Sequence, residues 1–101
     1  MREAAVIPCE DRYEAQKLAS LILVRDECTG DAQTFIRAVV NAIGNEAIIR
    51  LADGSSHSVS LRDESAVDKF ADFIQSVTEQ KHQLVTASAH KDTVRIVKDG
   101  P

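Results

Sequence analysis

The sequence predicts a two-layer α+β domain in the order helix, helix, hairpin, helix, hairpin, with a four-stranded antiparallel sheet covered by helices on one face. Three observations lead there. Apolar residues recur with helical spacing in three segments, and two other segments alternate apolar and polar residues about a short turn. Cap and turn residues mark the boundaries between them. The chain has 101 residues, enough for one domain over its whole length, 1–101. No internal repeat, linker or low-complexity tract is visible in it.

Taking the elements in order, Ala5-Val6-Ile7 suggests a short strand stopped by Pro8. Glu10, Asp11 and Glu14 then resemble the acidic first turn of a helix running from about residue 10 to 26, with Ala15, Leu18, Ala19 and Ile22 buried. Residues 20–26 also fit a buried strand, because periodicity does not separate the two over Leu21-Ile22-Leu23-Val24. Tyr13 to Ala19 holds good helix formers and no breaker, which favours the helix. A second helix is expected after the cap residue Asp31: Ile36, Val39, Val40 and Ile43 fall at i, i+3, i+4 and i+7, and Gly44 suits the left-handed residue that ends a helix.

Residues 46–62 alternate as a hairpin should. Parity selects its loop. A two-residue loop at Asp53-Gly54 sets Ile49 against Ser58, whereas a three-residue loop Ala52-Asp53-Gly54, with Gly54 left-handed, sets Ala47 against Val59 and leaves one face apolar. Asp63 or Ser65 then caps a third helix that buries Ala66, Val67, Phe70, Phe73, Ile74 and Val77. A last hairpin turns near Lys91-Asp92 and pairs Ala89 with Val94 and Ala87 with Ile96.

The net charge is −4, which argues against simple coating of nucleic acid or of an anionic membrane. It is uneven: residues 1–80 carry eight basic and fourteen acidic residues, residues 81–101 four basic and two acidic. Two cysteines, Cys9 and Cys28, form no disulfide or zinc pattern. With neither a membrane-length apolar run nor a signal peptide, the expected location is the cytoplasm.

No nucleotide loop, HExxH, CxxC or calcium loop occurs, and the four glycines match no phosphate motif. Ser55-Ser56-His57-Ser58-Val59-Ser60 invites a serine-nucleophile interpretation, but strand neighbours point to opposite faces, so His57 does not reach Ser56 or Ser58. His57, His82 and His90 lack metal-ligand spacing. The expectation is therefore a protein that is not an enzyme and has no catalytic residue, metal or cofactor.

Three surfaces remain as candidates. From Ala15 to Ile43, sixteen of twenty-nine residues are hydrophobic, more than a thin layer buries. Leu21, Leu23, Val24, Ala38 and Ala42 are the surplus, and they suggest contact with another protein or a homodimer joined through the N-terminal helices. Glu64, Asp68, Asp72 and Glu79 line the third helix opposite its apolar stripe, a solvated face or a surface for a basic partner. Lys81, Lys91, Arg95 and Lys98 give the last hairpin a basic edge, the basis for an alternative role in nucleic-acid binding. Protein–protein contact, as in an adaptor, inhibitor or chaperone, is the function the sequence favours.

Overall fold

β-branched residues prevail over helical spacing in the middle of the chain. The computed structural model describes residues 2–22, 36–79 and 84–99. Among them the order is β1 (Arg2–Pro8), α1 (Arg12–Ile22), β2 (Ile36–Ile43), β3 (Glu46–Leu51), β4 (Ser56–Ser60), α2 (Glu64–Glu79), β5 (Leu84–His90) and β6 (Thr93–Asp99). The strands form two three-stranded antiparallel sheets, β1-β6-β5 and β2-β3-β4, in place of the expected single sheet of four. A bridge between Cys9 and Leu61 joins the end of β1 to the end of β4.

The main correction concerns Ile36–Ile43, expected as a helix and found as strand β2. Its register against β3 slips twice, between Ile36 and Ala38 and between Asn41 and Ile43. Each slip adds one residue to β2 and reverses its alternation. Ile36 and Val39 thus pack toward the core, while Val40 and Ile43 both lie on the other face, 37% and 83% exposed. Two bulges turn a strand's period of two into a spacing of three, and this imitates a helical stripe. Gly44 does have a left-handed φ of +56°, but as the first residue of the β2–β3 turn rather than a helix end.

Other expectations hold. α1 buries Ala15, Leu18, Ala19 and Ile22, and residues 20–22 are helical. Residues 23–35, with Leu23, Val24 and the proposed cap Asp31, lie outside the described residues. Ala47 faces Val59, Gly54 has φ +90°, and Leu51 N–H donates to Ser55 C=O at 2.9 Å, which closes the three-residue loop. Asp63 caps α2 by accepting from Ala66 N–H at 2.9 Å. The Ser65 hydroxyl and this N–H together hold its carboxyl below the usual range. Ala89 pairs with Val94 and Ala87 with Ile96.

The topology also contains a duplication that the sequence hides. Each half runs strand, helix, strand, strand: β1-α1-β2-β3, then β4-α2-β5-β6. Each sheet takes the hairpin of one half and the first strand of the other. The correspondence extends to single residues. Ile7 opposite Val94 matches Val59 opposite Ala47, and Ala5 opposite Ile96 matches His57 opposite Ile49. Asp11 caps α1 through Glu14 N–H at 2.9 Å, as Asp63 caps α2. Glu10 N–H donates to Ser60 C=O and Arg62 N–H to Pro8 C=O, and Cys9 N–H to Asp92 C=O matches Leu61 N–H to Asn45 C=O.

The two halves share one core. α1 packs on β5 and β6, α2 on β2, and each also touches the first strand of the other half. Cys9 and Leu61 are fully buried at the junction, and Phe70 of α2 occupies the place that Leu18 has in α1. A fully buried side chain of this size contributes about 2–3 kcal/mol through burial alone.

Candidate functional site

Each sheet turns one face to a helix and leaves the other open among the described residues. On β2-β3-β4, register places Ala38, Val40 and Ile43 beside Arg50, Ile48 and Glu46 on the open face. Val40 and Ile43 are exposed there and Ile48 is half-buried, so an apolar patch lies over the hairpin. Glu46 and Arg50 are both exposed, one on either side of Ile48 along β3.

On β1-β6-β5 the corresponding positions are polar. Register places Ser88 beside Arg95 and His90 beside Thr93, and Val6 lies across from Arg95 on β1. Where one hairpin has Val40, Ile43 and Ile48, the other has Ser88, His90 and Arg95. Around them is an open cavity of about 460 Å³, lined by Val6 and by Ser88, His90, Lys91, Asp92, Thr93 and Arg95. Lys91, the counterpart of Gly44, has φ +58°. That conformation costs a residue with a Cβ about 1 kcal/mol.

Asp92 is the one carboxylate among the described residues that line this cavity. It accepts from Arg62 Nη2 at 3.2 Å and from the Thr93 hydroxyl at 3.3 Å. Partial desolvation pushes its carboxyl up, but these two donors outweigh that and hold it below the usual range. In the other half Asn45 takes the same place and donates to Leu61 C=O at 2.7 Å and to Glu10 Oε2 at 3.5 Å.

No protein-family model, curated protein or solved structure matches this chain.

The structure redistributes the residues that the sequence singled out. Ala38 and Ala42 belong to a strand, not to a small-residue strip on a helix, and Ala42 is the extra residue at the second register slip. Leu21 is half-buried against the core. The expected homodimer through the N-terminal helices thus loses the helix to which Ala38 and Ala42 were assigned. Glu64, Asp68 and Asp72 are exposed along α2, and Glu79 ends that helix. Lys91 and Arg95 meet at the cavity. Lys98 lies on β6, and Lys81 falls outside the described residues.

Sequence reasoning missed one constellation, Asp53-Ser55-His57. Asp53 Oδ1 accepts from Ser55 N–H at 2.8 Å and from Ser55 Oγ at 2.6 Å, and Ser55 Oγ lies 3.3 Å from His57 Nε2. The signal is the i, i+2 spacing of Ser55 and His57, which puts both on one side of an extended chain, unlike the serines adjacent to His57. The order of contacts does not activate the serine. The Ser55 hydroxyl donates its hydrogen bond to Asp53, whose carboxyl is held low chiefly by that same hydroxyl, so the carboxylate is a weak base. The cluster locks the β3–β4 loop as a side-chain turn.

Cys9 is equally unsuited to nucleophilic work. Burial, with Glu14 and Asp92 nearby, pushes its thiol up to about 12. Its sulfur lies 3.7 Å from Ile7 C=O. Among the described residues no three His, Cys, Asp or Glu side chains gather to hold a metal ion.

Proposed function

We propose that this protein is a non-enzymatic binding module acting through protein contacts, and that a second copy of itself occupies the open face of β2-β3-β4. One observation carries this: the sequence Glu46-Ile48-Arg50 on a single strand face, flanked by exposed Val40 and Ile43. A two-fold axis crossing β3 at Ile48 brings Glu46 of each copy over Arg50 of the other and stacks the apolar residues between them. Such self-complementarity is what an isologous contact requires. Contiguous exposed apolar residues with a charged rim also characterise interfaces. The contact uses the face of the sheet, since two bulges blunt the free edge of β2.

Light scattering on size-exclusion peaks over a range of concentrations tests the reading. The wild type is expected to dimerise. Glu46→Arg alone turns both rim pairs repulsive and weakens the dimer by about tenfold, since each exposed pair contributes up to ~1 kcal/mol. The double change Glu46→Arg with Arg50→Glu restores the pairs and the dimer. A monomeric wild type at every concentration, or failure of the double change to recover association, contradicts it.

A further inference from the structure

We infer that the cavity at the β5–β6 turn is a binding site for a phosphate-bearing ligand. The inference is independent of the self-association described above and rests on a different part of the molecule. His90, Lys91 and Arg95 line one cavity of about 460 Å³ together with the hydroxyl residues Ser88 and Thr93. That volume lies in the range of small-molecule sites. Lysine and arginine supply the charged donors that phosphate oxygens accept most strongly, and the hydroxyls add neutral ones. Asp92, the carboxylate among the described lining residues, accepts from Arg62 and Thr93, which lessens its repulsion of an anion.

The scaffold fixes the backbone positions that carry these groups. Ser88 pairs with Arg95 and His90 with Thr93 across β5–β6, and Cys9 N–H holds Asp92 C=O at 2.7 Å. The internal duplication provides the control: on the same frame the other hairpin carries Val40, Ile43, Gly44 and Ile48. At these matched positions only the β5–β6 hairpin carries cations, with Lys91 in the place of Gly44 and Arg95 in the place of Ile48. Lys91 occupies a left-handed position that its counterpart gives to glycine, so the cation is present where the backbone alone would favour its absence.

Two ligands share this chemistry, a free phosphate or phosphomonoester and the backbone of a nucleic acid. The test therefore has two arms. Phosphorus NMR line broadening measures inorganic phosphate binding at low salt, and fluorescence anisotropy measures a labelled ten-nucleotide single strand. Lys91→Gly with Arg95→Thr removes both charges and keeps residues compatible with the turn and the strand. Lys69→Gln, on the exposed side of α2, removes a charge elsewhere. The wild type and the Lys69→Gln variant should bind alike, and the cavity variant at least tenfold more weakly. Phosphate binding without tighter oligonucleotide binding assigns the site to small phosphates. Oligonucleotide binding more than tenfold tighter, and falling steeply with salt, assigns it to a nucleic-acid backbone. Absence of binding in both arms overturns the inference, as does binding that Lys69→Gln weakens as much as the cavity variant does. Circular dichroism of the cavity variant establishes that it is folded.

Discussion

At the β2–β3 turn Gly44 takes a φ of +56°, and at the β5–β6 turn Lys91 takes +58°. The backbone is nearly the same and the side chain is not. The contrast continues onto the open faces, where Val40, Ile43 and Ile48 correspond to Ser88, His90 and Arg95. Toward the core the halves agree: Ile49 matches Ile96, Ile7 matches Val59, and the helix caps are both aspartate. Packing constrains inward positions because any change of volume there is felt, whereas outward positions on a strand are free to vary. One frame has thereby come to present an apolar face at one hairpin and a cationic face at the other.

The largest effect expected from this comparison is at the junction of the halves, where Cys9 corresponds to Leu61. At neutral pH a thiol with a pKa of about 12 holds roughly a thousandfold less thiolate than one at 9.0. In a Cys28→Ser background, native Cys9 should alkylate at least that much more slowly than the urea-unfolded chain. The same displacement makes stability fall as pH rises above 9, because the native state retains a proton that the unfolded state releases. Rapid alkylation of the native protein argues that the junction opens easily and that the halves do not share one sealed core.

Next in size are the helices. Phe70→Ala should cost about 3–5 kcal/mol and Leu18→Ala, at the matching place in α1, about 2–4 kcal/mol in urea unfolding. A single transition for both variants supports one cooperative core. Two separated transitions break the comparison, since the halves then unfold independently.

The smallest effect sharpens it most. Lys91→Gly should stabilise by about 1 kcal/mol, and Gly44→Lys should destabilise by a similar amount. No atom lies within 4 Å of a Cβ built on Gly44, so backbone strain is the only local cost of that substitution. Changes of the same sign at both positions show that the turns are not equivalent.

Single elements were legible in the sequence where one rule operated at a time, whereas the expected four-stranded sheet gave way to two sheets of three. Parity alone gave the pairing of Ala47 with Val59, since a slip by one residue turns every apolar side chain to the wrong face. Asp63 and the stripe from Ala66 to Val77 gave α2. β2 was lost because its two bulges impose a spacing of three. The β-branched side chains of Ile36, Val39, Val40 and Ile43 favour a strand and outweigh that spacing. The duplication is hidden because the halves agree in backbone conformation and burial more than in residue identity: Gly44 matches Lys91, and Cys9 matches Leu61. Lys91 and Arg95 were legible as a basic pair, but their cavity with Ser88 and Thr93 depends on cross-strand register. The apolar face of Val40, Ile43 and Ile48 required the corrected strand.

Backbone amide spectra of the wild type, recorded along a dilution series and along a phosphate titration, test most directly whether one frame carries two separate surfaces. Dilution should move amides of residues 38–50 and leave 88–95 in place, and phosphate should do the reverse. If both series move the same amides, the division of the two hairpins into an apolar contact face and a cationic site is wrong.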